Sequence, residues 1–370
     1  MLAFAICGIR TNAVGSFNIL HIYHKPYKMI SKPLLLVTIA ISVVNFHLKA
    51  QHNREFEISL PETKATGSLY NKISFLDSRE DSSQMGILQT GAFNRKAAVV
   101  TKTPLPVQLN KLMSALVDST AKDGELLFQL RQLSFAEVTG AMSEKGYFFF
   151  RAILYAKAGQ SYTMLASIDT AIIIKSSLDV TKGIFKRGSN LVSSFVSNHL
   201  LQTSNTAGVT FSDVVKIDSI EKAGLKIYSD TGWQNGIYSS WNSFKQQLPD
   251  KPVLESVIKE GKLKTLKIMG DDNKLEKVKS RSIYAVVCNG QPFIATDYGY
   301  YPLEKTNGEI FFTGKAKVTA STGDVIAASM FFGIIGGLLA SDAAATFEMK
   351  IDHLSGGFIR LREIKTVGTE

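Results

Sequence analysis

The sequence predicts an α+β fold in which strands predominate, arranged as two β-rich domains. Three observations carry that expectation. Across residues 71–201 the order of elements is strands, helix, antiparallel strands, helix, which describes a sheet with helices on one side. Beyond residue 208, Asn-Gly falls twice between β-rich runs, in "CNGQ" and "TNGE", the strongest short-range hairpin signal. Near the C-terminus, Val325 to Ser341 holds 17 residues without a charge and with several glycines, and reads as a helical insert in the second domain.

The N-terminus is a targeting segment. Residues 1–50 carry Arg10, Lys25, Lys28, Lys32 and Lys49 and no acidic residue. Met29 opens a signal-peptide pattern, with Lys32 as the positive region, Leu34 to Val44 as the apolar region and Ala50 as the small residue before the cut. A mature chain starting near Gln51 is therefore expected. The apolar run is too short to span a bilayer comfortably. An exported protein follows, placed in the periplasm, at the outer membrane or outside the cell.

Residues 51–70 are polar and read as a flexible lead-in. Short strands follow in "NKISFLDSR", "MGILQTG" and "NRKAAVVTK". Leu109, Leu112, Met113, Leu116 and Val117 repeat at helical spacing after two prolines, which starts a helix near residue 105. "ELLFQLRQLSFAEV", "KGYFFFRAILYAKAG" and "TMLASIDTAIIIKS" are long, aromatic and β-branched, and read as strands. Leu191, Val192, Phe195, Val196, His199 and Leu200 then lie on one helix face. The segment 202–208 has no apolar residue larger than Ala and reads as the linker between a domain over 71–201 and one over 209–370.

In the second domain "NGIYSSWNSF" reads as a turn, a brief strand and a helix start. Lys-rich strands follow from residue 262, then the two Asn-Gly hairpins, and "ATFEMKIDHLSGGFIRLREI" makes two strands about "LSGG".

Two resemblances accompany this reading. "LPVQLNKLMSALVDS", "GELLFQLRQLSFAE" and "GYFFFRAILYAKAG", within residues 70–200, resemble the periplasmic auxiliary subunits of bacterial lipid-transport systems in order of elements. That resemblance implies a fold and no activity. "GIYSSWNSFKQQLP", "IYAVVCNGQPFIATDYGYYPLEK", the glycine-rich run and "FEMKIDHLSGGFIRL", over residues 230–362, resemble an uncharacterised exported module of Gram-negative bacteria. That resemblance implies export and β-rich structure only.

Charge and chemistry narrow the function. The net charge is +10, and without residues 1–50 it falls to +5, with no Arg-rich stripe to follow a phosphate backbone. Nucleic acid is not an expected partner. Cys288 would stand alone after cleavage, so no internal disulfide forms, and its setting at the end of a strand reads as a buried thiol. His52, His199 and His353 are too scattered for a zinc site, and no phosphate-binding glycine loop is present. No metal or cofactor is expected. Asp352, His353 and Ser355 stand together in "IDHLS", yet triads are assembled from distant residues, so catalysis is not inferred from them. Glu137 and Glu144 flank a hairpin tip and read as solvated charges.

Two aromatic clusters, Trp233, Tyr238 and Trp241, and Tyr298, Tyr300 and Tyr301, read first as core. A glycan- or lipid-binding platform is the second reading of them. Val325–Ser341 has three readings. It is a buried helical insert, or a surface docking on a membrane or an envelope partner, or a bilayer span at the lower length limit. Phe331, Phe332, Gly333, Gly336, Gly337 and Leu338 would make the contact, with Gly333 and Gly337 forming GxxxG. The expected function is a non-enzymatic envelope protein that binds or scaffolds. An enzyme with an unrecognised carboxylate site is the remaining alternative.

Overall fold

The computed structural model describes residues 53–364, apart from 81, 84, 91–94, 140–143, 177–178, 230–231, 271 and 316–345. The expected signal region, residues 1–50, and the segment holding Phe331, Phe332, Gly333, Gly336, Gly337 and Leu338 lie outside the described residues. Residues Gln51–Glu370 form one compact unit. The fold is a strand-dominated α+β arrangement with several sheets. Among the described residues, no helix is long and apolar enough to cross a membrane.

The first sheet has seven strands: β1 (Asn53–Phe56), β2 (Lys72–Asp77), β3 (Gly86–Thr90), β4 (Arg95–Thr101), β5 (Glu125–Thr139), β6 (Glu144–Ala158) and β7 (Ser161–Ser176). Helices α1 (Leu105–Leu116) and α2 (Thr181–Ser197) belong to the same unit. β5, β6 and β7 form a long antiparallel meander, as "KGYFFFRAILYAKAG" and its neighbours require. One edge of β5 is shared. β2 runs parallel to Glu125–Leu130, and β3 runs parallel at Phe135 and Ala136.

The sheet is therefore mixed, which corrects the expected antiparallel one. Local pattern identifies strands, but a parallel pair is made by a crossover whose path no local pattern records. The lead-in over 51–70 also needs correcting. β1 pairs parallel with β4, and Phe56, Ile58 and Tyr70 are buried in the main core. Three buried apolar residues scattered in a polar stretch suffice to anchor it once a sheet edge is available.

That core lies between one sheet face and the two helices. Phe128, Phe148 and Phe150 from the strands meet Leu109, Leu112 and Met113 of α1, and Val192, Phe195 and Val196 of α2. Alternation puts Tyr147, Phe149, Arg151, Ile153 and Tyr155 on the opposite face of β6, where all but Arg151 are buried. β6 is apolar on both faces because it is covered on both.

Residues after the expected linker return to that second face. Val209 pairs with Tyr162 through two backbone hydrogen bonds of 2.9 Å. Thr210 caps α3 (Phe211–Val215), and α4 (Ile217–Ala223) follows. Val214 and Ile217 pack on Leu127, Ile153 and Tyr155.

Three smaller sheets follow among the described residues. β8 (Gly236–Tyr238) and α5 (Trp241–Lys245) precede β9 (Glu255–Lys259), β10 (Lys262–Met269) and β11 (Leu275–Lys277), which pair in the order β11-β10-β9. β12 (Ala285–Cys288), β13 (Gln291–Thr296) and β14 (Gly299–Pro302) join β8 in a second sheet. β15 (Glu304–Thr306), β16 (Glu309–Lys315), β17 (Thr346–Ile351) and β18 (Phe358–Glu363) make the third. Both Asn-Gly pairs form two-residue turns with positive φ at each position, Asn289 and Gly290 at 52° and 76°, Asn307 and Gly308 at 53° and 72°.

Candidate functional site

A cluster of paired charges lies where the second face of the first sheet meets α4 and the β17–β18 turn. Two arginines reach it from adjacent strands. Arg131 is the extra residue of a β-bulge in β5, between the pairs Leu130–Ala152 and Gln132–Arg151. A bulge re-aims a side chain, and here it sets Arg131 beside Arg151 of β6.

Arg131 binds Glu221 of α4 through both terminal nitrogens, at 2.9 and 2.6 Å, and Asp218 at 2.6 Å. His353 Nε2 lies 2.9 Å from the same Glu221 carboxylate. Arg151 donates two hydrogen bonds to Asp352, at 3.1 and 2.7 Å, and contacts Asp169 of β7 at 2.9 Å. The Ser355 hydroxyl also donates to Asp352. Lys222 pairs with Glu309, and Lys350 with Glu80 at 2.8 Å, at the margin.

The charges suit these partners. Burial pushes the Asp352 carboxyl up, but the charge and hydrogen bonds of Arg151 outweigh it and hold the group well below the usual range. Glu221 is treated the same way: burial raises it, while hydrogen bonds from His353 and Arg131 bring it down to about 2. Burial works against the Arg151 guanidinium, yet Asp352 and Asp169 hold it more firmly protonated.

The arrangement does not assemble a nucleophile. The Ser355 hydroxyl donates a hydrogen bond to Asp352, and His353 bonds Glu221, so Ser355 and His353 serve different partners. Asp218, Glu221 and His353 come close enough to hold a metal ion. Arg131 already occupies the space between the two carboxylates, and a second cation there would face it unscreened. What the cluster does is tie the β17–β18 turn and α4 to the first sheet.

The sequence held a sign of this. Arg131 and Arg151 stand among the apolar residues of two long strands, and a charge buried there must bring a counter-charge from elsewhere. The bulge was also legible. Leu126, Phe128 and Leu130 share the core face, and the pattern then steps to Leu133 and Phe135. Glu137 corrects the reading of solvated edge charges: it is only 2% exposed and accepts a hydrogen bond of 2.9 Å from Thr181.

The first aromatic cluster converges on Phe244. Trp233 stacks on it at 5.7 Å, the Tyr238 ring meets it edge-on at 5.0 Å, and Trp241 is tilted at 6.3 Å. Tyr238 is buried and donates to Gln234 O at 2.6 Å, and Trp241 donates to Leu354 O at 3.1 Å. Trp233 is half-buried and lines a hollow of about 360 Å³ with Ile227, Lys305 and Asn307.

The second group is dispersed. Tyr300 donates to Val278 O at 3.0 Å, Tyr301 stacks on Phe312 at 6.3 Å, and Tyr298 is 38% exposed. Cys288 is buried, and burial pushes its thiol up, away from the thiolate a nucleophile needs. His199 lies in the turn after α2 rather than on the expected helix face, with Nδ1 2.6 Å from Phe195 O.

No family model matches this chain, and no curated protein matches it. Among solved structures the chain is similar to protein XCC0632 from Xanthomonas campestris, of family DUF330. The two are 12% identical, the match covers 40% of this chain and 94% of the other, and the TM-score is 0.27. At that score the likeness defines neither fold nor function.

Proposed function

We propose that the protein is a non-enzymatic envelope protein, exported by the signal at Met29, which binds or scaffolds through Val325–Ser341. One observation carries the reading. Lys315 and Thr346 are directly paired on β16 and β17, so the 30 residues between them begin and end on neighbouring positions of one sheet. A single span would leave its two ends on opposite sides of a bilayer. Returning within the remaining residues would drag unpaired backbone through lipid. That argues against the span, and of the two readings left we take docking from one side, with Phe331, Phe332, Gly333, Gly336, Gly337 and Leu338 as the contact. The compact unit also begins at Gln51, directly after the expected cut.

The same pairing supplies the test. Residues 316–345 are replaced by Asn-Gly, which joins facing strand positions as a two-residue turn. The shortened protein is expected to keep its melting temperature and to leave the salt-washed envelope fraction, with the full chain retained there and starting at or near Gln51. A shortened chain that stays with the salt-washed envelope, or a mature chain that keeps Met29, overturns the reading.

The glycan- or lipid-binding alternative contracts to the hollow beside Trp233, since Tyr238, Trp241, Tyr300 and Tyr301 spend their polar groups or rings inside the fold.

A further inference from the structure

The three-stranded sheet β11-β10-β9 has one face on a core and one face in solvent. Leu263 and Leu266 point inward onto Val286, Cys288 and Phe293. The outward positions follow from the register. Lys262 lies directly opposite Lys259, and Lys267 lies directly opposite Lys277. The extra residue of the β10 bulge is Lys264, which is exposed. The same outward face carries the aliphatic side chains of Val257, 42% exposed, Met269, 45%, and Leu275, 46%, together with Thr265 and Glu255.

Like charges directly opposite on a sheet destabilise it. One three-stranded sheet carries two such pairs. One acid, Glu255, offsets Lys267 of the second pair, and the Lys259–Lys262 pair and Lys277 keep their charge unmatched among the described residues. Glu255 pairs with Lys267 at 2.7 Å, Asp272 with Lys274 at 3.1 Å, Glu260 occupies the two-residue turn, and Glu276 lies opposite the inward Ile268. Lys259, Lys262, Lys264 and Lys277 make no ion pair among the described residues.

We propose that this face docks on an anionic phospholipid bilayer surface. The two lysine pairs are four register steps, about 13 Å, apart along the strand, too far for one small anion to bridge and well suited to a plane of phosphates. Aliphatic side chains between lysines match the headgroup boundary, where lysine gains from negative lipid and apolar tips are shallowly buried. Protein interfaces are poor in Lys and rich in aromatic residues and Arg. Base recognition also uses Arg and aromatic platforms. This face has neither. The proposal is independent of Val325–Ser341.

The test uses the full chain, with vesicles of phosphatidylcholine alone or mixed with phosphatidylglycerol. The protein is expected to float with the anionic vesicles at low salt and to be released as salt rises. Lys262→Glu/Lys277→Glu converts both like-charge pairs into opposite-charge pairs. It is expected to weaken vesicle binding at least ten-fold and to hold or raise the melting temperature. Lys262→Gln/Lys277→Gln gives the same direction with a smaller loss, and the chain lacking 316–345 keeps the preference for anionic vesicles. The proposal is overturned if the wild-type chain ignores anionic vesicles at low salt. It is also overturned if the charge-reversed variant binds undiminished, or if duplex DNA displaces the vesicles.

Discussion

Arg151 sits in a strand that is apolar on both faces, so its charge survives only because Asp169 and Asp352 come to it. Asp352 arrives from 201 residues further along the chain. Removing the cation alone leaves a buried carboxylate unpaired. Arg151→Met is therefore expected to lower unfolding stability by about 3–5 kcal/mol in urea titration. Arg151→Met/Asp352→Leu removes both charges and is expected to recover much of that loss. Equal losses in the single and double variants would show that the two side chains are not coupled. Glu221 adds a pH signature. Its folded value lies below its ordinary 4.5, at about 2. A depressed carboxylate stabilises the fold fully above its unfolded value and loses that contribution as pH falls through the folded value. The stability difference between wild type and Glu221→Gln is thus expected to be level near neutrality and to shrink between pH 4.5 and about 2, read by urea unfolding at each pH.

At the scale of elements, close backbone approach decides as much as charge. Gly356, in the β17–β18 turn, has φ +73°, and a Cβ there would lie 2.3 Å from Cγ of Trp241. Gly290 has φ +76° in the first Asn-Gly turn, with open space around it. Gly290→Ala is expected to cost about 1–2 kcal/mol for the left-handed backbone alone. Gly356→Ala adds the displacement of a core ring, about 1–3 kcal/mol more. Matching losses in thermal melts would refute the close contact. The same contrast explains what was legible. The Asn-Gly hairpins, the brief strand at 236–238 and the meander of β5, β6 and β7 depend on neighbours in sequence, and pattern found them. The parallel strands, the anchoring of Phe56 and the pairing of Arg151 with Asp352 depend on segments brought together only by the whole fold. The buried arginines were visible as misfits, but their partners were not.

For the whole molecule, the question is how a charged, compact unit accommodates an uncharged glycine-rich stretch. The β16–β17 register sets Lys315 opposite Thr346, so the flanking strand positions are close enough for a two-residue turn to join them. That proximity makes its role testable in isolation. If Gly333 and Gly337 allow close packing against an apolar partner, they matter because no side chain fills the gap. Gly333→Leu/Gly337→Leu raises hydrophobicity, and simple partition into lipid would then strengthen. Overfilling a packed contact instead costs about 1–3 kcal/mol per position. The two accounts give opposite signs in one variant. The expectation is weaker retention in the salt-washed envelope fraction, with the melting temperature of the remaining fold unchanged. Stronger retention would exclude close packing and make lipid insertion the attachment.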